Sequence, residues 1–184
     1  MPNETQLPPE LKITDRFEVG LPKLGTVSLP LCGPVFKIWD GIPLAFDYGN
    51  KPILNYKGEP CFAELVILRT LLDHGWDGVW VEAFGGTHFL RSMPKGWSLK
   101  SEHVSIPKDK EDFLKEIQKS AGTKACFDVF VWKKDQILFL EGKHKHKDQL
   151  TEAQLKFIEG ALNCGMSPQS LVIVEWETGK DMTP

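Results

Sequence analysis

The sequence has no long apolar run. Nothing among its 184 residues approaches the roughly 18 consecutive hydrophobic residues that a membrane-spanning helix needs, so no membrane partner is expected. The opening stretch MPNETQLPPELK has neither the basic start nor the apolar core of a secretion signal, which points to a cytoplasmic protein. Cysteine is scarce. Cys32, Cys61, Cys126 and Cys164 lie far apart with no CxxC pair, which fits neither a zinc ribbon nor a disulfide framework and predicts reduced, mostly buried thiols. A strong block of positive charge is also missing: 22 Lys+Arg stand against 25 Asp+Glu, for a net charge of −3, so any hold on a polyanion is expected to be modest and salt-sensitive. The charge is unevenly spread, however. Residues 91 to 156 carry 14 Lys+Arg against 10 Asp+Glu, a local +4. No internal repeat or low-complexity tract appears, and 41% hydrophobic residues suffice for a core.

The order of elements follows from hydrophobic period and turn chemistry. Residues 1 to 34, with the adjacent Pro8 and Pro9, show no sustained period and read as an irregular N-terminal arm. The short runs VFKIW, IPLAFDY and PILNYK, separated by Asp40-Gly41 and Gly49-Asn50, predict a small β-hairpin or meander over 35 to 58. Residues 59 to 75 carry apolar side chains at Phe62, Leu65, Val66, Leu68, Leu71 and Leu72 and close on Gly75, the pattern of a helix with its C-cap. A strand over 77 to 84 and a long connection over 85 to 107 come next. A helix over 111 to 122, strands over 125 to 132 and 136 to 143, a helix over 150 to 165 with Thr151 as N-cap, and a strand over 170 to 176 complete a core spanning 59 to 178. Residues 179 to 184 are a tail. A crossover helix before the last strand makes that strand parallel to an earlier one, within an α/β sandwich.

Charges interrupt these strands where apolar residues should continue. Asp128 stands alone in FDVFVW, and ILFLEGK ends on Glu141 and Lys143. A buried, unpaired carboxylate costs several kcal/mol, so such residues call for a cation or strong hydrogen bonds. Glu141 and Lys143 share a face because a strand alternates with period two. If the two strands pair through the turn at 133 to 135, Asp128 and Glu141 converge at one end of the ribbon. Paired carboxylates of this kind favour Mg²⁺ or Mn²⁺.

Asp128 and the Glu141-Gly142-Lys143 element, with Glu64 in the helix before the sheet and Gln154 in the helix after it, resemble the PD-(D/E)xK nuclease superfamily over residues 59 to 176. The stretch ILFLEGKHKHKDQLTEAQLKFI is similar in layout to the VRR-NUC branch. Phe127 departs from the proline of the name motif, and Val174-Glu175-Trp176 lacks the arginines of that branch. The resemblance implies a restriction-endonuclease-like mixed central sheet flanked by helices, with residues 35 to 58 as a β-rich extension. It also implies a Mg²⁺- or Mn²⁺-dependent nuclease, a DNA endonuclease, and it leaves room for a homodimer. Asp128, Glu141 and the Gly142 carbonyl would hold the ion, joined by Glu64, which would take a second water or a second ion. Lys143 would orient the attacking water or offset phosphate charge, and Gln154 would support the site.

Each residue also has a plainer reading. Asp128 can be a strand-end aspartate satisfied by a backbone amide, Glu141 and Lys143 an exposed ion pair, and Glu64 and Gln154 ordinary solvated helix residues. His144 and His146 lack a third zinc ligand nearby and read as part of a basic loop whose Lys145 and Lys147 suit backbone phosphates. Trp76, Trp80 and Trp132 read as packing residues. A second function class stands beside the nuclease: a non-catalytic nucleic-acid-binding or scaffolding protein with a nuclease-like fold. A third is ion-dependent chemistry on another phosphate ester.

Overall fold

Lys134 and Asp135 form the two-residue turn on which the centre of the sheet is built. Lys134 sits in the left-handed region at φ 54, the backbone that tight hairpin turns require. The turn joins β8 (Val129–Lys133) to β9 (Gln136–His144) as an antiparallel pair in the register Val129↔Leu140 to Lys133↔Gln136. The computed structural model describes residues 7–83 and 86–179. The first six residues of the predicted arm, Phe84 and Gly85 beside the predicted strand at 77 to 84, and tail residues 180–184 lie outside that description.

Around this hairpin the chain forms a mixed sheet. β6 (Asp77–Glu82) pairs antiparallel with β8, and β7 (His88–Leu90) pairs antiparallel with β6. β10 (Leu171–Gly179) runs parallel to β9 after the crossover helix α3 (Glu152–Asn163), as the sequence predicts. α1 (Ala63–Asp73) covers one face of the sheet, where it packs with Val129, Val131, Leu138, Leu140, Val172 and Val174. α3 and α2 (Lys108–Ala121) cover the other with Phe130, Trp132, Phe139, Leu171 and Ile173. The inner strands are buried on both faces, which is why they read as near-continuous apolar runs. Trp76, Trp80 and Trp132 are all buried, as expected of packing residues. All four cysteines are free thiols; Cys32 and Cys61 are buried, Cys126 and Cys164 partly so. Among the described residues no helix is long and apolar enough to cross a membrane.

The N-terminal region departs from expectation. Residues 13 to 32 are not irregular: β1 (Ile13–Leu21) and β2 (Gly25–Cys32) form a long antiparallel hairpin that joins the main sheet where Leu31 and Cys32 pair parallel with Ile173 and Val174 of β10. Proline obscured this hairpin in the sequence. Pro22 lies in its turn, and Pro30 falls just outside the β10 ladder, where a missing amide costs little. β3 (Val35–Lys37) likewise pairs with β10 instead of forming a separate meander, and IPLAFDY is not a strand. The predicted helix start at 59 is also corrected: β4 (Leu54–Tyr56) and β5 (Glu59–Cys61) form a hairpin across that boundary, turning at Lys57 (φ 52) and Gly58 (φ 88). Two positive φ values in a row are the signature of a type I′ turn, and Pro60 cannot supply an amide to a continuing helix.

The two helices of the second face meet at Gly160. A Cβ there would stand 2.6 Å from the Ala121 Cβ and 2.7 Å from the Ile117 carbonyl oxygen, so the helices touch through backbone. In an exposed helix Gly→Ala stabilises by up to about 1 kcal/mol. Here Gly160→Ala is expected to do the reverse and destabilise by about 1–3 kcal/mol, read as a lower urea midpoint at unchanged m-value.

Candidate active site

The register of the central hairpin dictates where its charges meet. Val129 faces Leu140, so the next position along each strand sets Asp128 against Glu141 at the open end of the ribbon. The two residues are tied crosswise through their backbones. The Asp128 amide donates to Glu141 Oε2 at 3.2 Å, and the Gly142 amide donates to Asp128 Oδ2 at 2.9 Å. The neighbouring strand closes this corner, because the Val81 amide donates to the Asp128 carbonyl at 2.7 Å. A Cβ at position 142 would be tight: it would lie 3.3 Å from both Asp128 Oδ2 and the Ile67 Cδ1 of α1.

Glu141 is 2% exposed and faces α3. Lys143, two residues on and on the same face, brings its Nζ to 2.9 Å from Glu141 Oε1. Gln154 holds both: its Nε2 donates to Glu141 Oε1 at 2.5 Å, and its Oε1 accepts from Lys143 Nζ at 3.0 Å. The same side chain closes a capping box, since Gln154 Oε1 accepts from the Thr151 amide and the Thr151 hydroxyl accepts from the Gln154 amide. The start of α3 is thereby fixed to the site.

From the opposite face α1 contributes Glu64, 7% exposed rather than solvated. Its Oε1 pairs with the ammonium of Lys51, while its Oε2 is buried without a hydrogen-bond partner. Lys51 is a site residue the sequence reading missed. It lies in the loop before β4, whose only local sign was the turn at 47 to 50. There Asp47 accepts from the amides of Asn50 and Lys51, with Tyr48 and Asn50 in the left-handed region. Glu82, at the end of β6, was missed as well; its charge acts on both Tyr48 and Lys51.

Electrostatics follow from this crowding. Burial, then the charges of Glu141 and Glu64, push the Asp128 carboxyl well above the ordinary range. Burial raises Glu141 to about 7 despite the opposing pull of Lys143. Burial works against the Lys51 ammonium, yet Glu64, Asp128 and Glu82 hold its pKa above the ordinary lysine value. The side-chain donors at this corner are carboxylate oxygens, with Glu64 Oε2 unpartnered, and mutual repulsion of this kind is what a hard cation such as Mg²⁺ or Mn²⁺ would relieve. Among the described residues no three His, Cys, Asp or Glu side chains already converge as ligands, since Glu64 and Glu141 are each turned onto a lysine.

The basic loop is less uniform than its sequence. Lys145 lies 3.4 Å from Glu177 and Lys147 is exposed. The ring of His144 stacks on Trp176 at 4.2 Å, and His146 turns the chain in the left-handed region at φ 61.

A raised carboxyl binds its proton more tightly in the folded than in the unfolded chain. Glu141 therefore contributes stability that is full below its unfolded value near 4.5 and lost as pH rises through about 7. Metal-free Glu141→Gln is expected to flatten the fall in melting temperature across that window, measured with chelator at several pH values. No family model matches the chain, and no curated protein or solved structure matches it either.

Proposed function

We propose that this chain is a divalent-metal-dependent nuclease of the PD-(D/E)xK type, a DNA endonuclease, with Asp128, Glu141 and Lys143 at its reacting centre. The observation that carries the reading is the crosswise bonding of Asp128 and Glu141 at the mouth of β8 and β9, which holds two repelling carboxylates together with an ammonium beside them. A fold has no use for such a pair by itself, because replacing it with apolar side chains would remove a desolvation cost. The succession α1, β6, β7, α2, β8, β9, α3, β10, with the E-x-K element on an inner strand and its glutamine on the crossover helix, supports the same superfamily.

Asp128 and Glu141, with the Gly142 carbonyl, would hold the ion, which supplies a water of lowered pKa and offsets charge building on the phosphate. Lys143 is already restrained by Glu141 and Gln154, so its ammonium can orient that water or pair with a phosphate oxygen without first being ordered. Gln154 keeps Glu141 aligned, and Glu64 adds negative charge on the far side of Asp128. Lys147, exposed, and Lys145 beside it would meet backbone phosphates and not bases.

A panel of single- and double-stranded DNA and RNA with Mg²⁺ or Mn²⁺ tests the proposal. Wild-type cleavage is expected to require the ion and to fall at least ~100-fold in Asp128→Ala and in Lys143→Ala at unchanged fold. Equal cleavage in both variants rejects this site. Binding without cleavage of any member would favour the scaffolding alternative. The ion should also raise the melting temperature more at pH 8 than at pH 6, because Asp128 and Glu141 must shed protons before they ligate.

A further inference from the structure

Lys51 is placed as a cation is placed, not as a surface lysine. Its ammonium bonds Glu64 and lies 5.3 Å from the ring centroids of both Phe62 and Trp80 and 5.9 Å from that of Tyr48. Aromatic faces attract a positive charge but cannot replace a counter-ion, so three rings and a carboxylate together define a pocket for one ammonium group. The ammonium lies within the field of the carboxylate cluster: Asp128 and Glu82 act on Lys51, and Glu64 acts on Asp128. Three carboxylates, Glu64, Asp128 and Glu141, stand against two ammonium groups, Lys51 and Lys143, leaving a formal −1. One divalent ion turns that to +1. A second would leave +3, in surroundings that disfavour unbalanced charge.

We propose that Lys51 is a built-in second cation: bonded to Glu64 beneath Tyr48, Phe62 and Trp80, it occupies the place a second divalent ion would take, so the site binds a single ion through Asp128 and Glu141. The inference rests on the metal-site reading above and sharpens it, because the family resemblance gives Glu64 to a second water or a second ion. Lys51 is a positioning residue in this scheme. It neutralises Glu64 and fixes the electrostatic field on the α1 side of Asp128, and it takes no part in proton transfer.

The test is the stoichiometry of Mn²⁺, measured on the full chain by calorimetry and by electron paramagnetic resonance of free Mn²⁺, with thermal melts confirming the fold. Wild type and Lys51→Arg are expected to bind one ion per chain. Lys51→Met, which keeps the apolar stem and removes the charge, is expected to bind two, and Lys51→Met/Glu64→Gln to return to one. Lys51→Gln serves as the second charge-free variant should methionine impair folding. Two ions on wild type, or one ion on a folded charge-free variant, overturns the proposal. No ion on wild type overturns it together with the metal-dependent function. The one-to-two change without cleavage of any nucleic acid leaves this inference standing and removes only the nuclease reading.

Discussion

Two backbone amides hold the candidate site in place. The amide of Asp128 is spent on Glu141 and the amide of Gly142 on Asp128, at the point where the β8 and β9 ladder would otherwise continue. The exchange satisfies buried backbone donors with carboxylate oxygens, so the last rung of the hairpin is made of acidic side chains. Everything else at the site follows from that substitution. Two carboxylates held together in a poorly solvated corner need positive charge, and the chain supplies it from both faces of the sheet: Lys143 on the α3 side and Lys51 on the α1 side.

The supporting shell ties this corner to the rest of the fold. Gln154 is shared between the N-cap of α3 and the Glu141–Lys143 pair, which couples helix placement to carboxylate placement. Residue 142 sits where α1, through Ile67, presses toward Asp128, and a Cβ there would crowd both side chains by a few tenths of an ångström. Burial of Asp128 and Glu141 opposes folding when they are charged. Functional sites commonly carry such a cost, and the two-sided apolar packing of the inner strands offsets it.

Much of the core could be read from local pattern. Period and capping located α1, α2, α3 and the inner strands, and Thr151 at the N-cap, because those signals lie within a few residues of one another. The N-terminal hairpin could not be read in this way. Only β2 has a partner more than a hundred residues away, in β10, while β1 pairs with β2 alone, and the hairpin's prolines resemble those of an irregular arm until the ladder is seen.

The sequence by itself determined that Asp128, Glu141 and Lys143 interrupt apolar strands, that Glu141 and Lys143 share a face, and that a short turn can bring Asp128 opposite Glu141. These are consequences of period and spacing along one hairpin. Only the tertiary structure decided that Glu64 is buried, and that Lys51 and Glu82 belong to the same cluster. The physical reason is distance along the chain. The burial of a helical glutamate depends on what covers it, and no local pattern records that a lysine 13 residues earlier turns back to meet it across three aromatic rings.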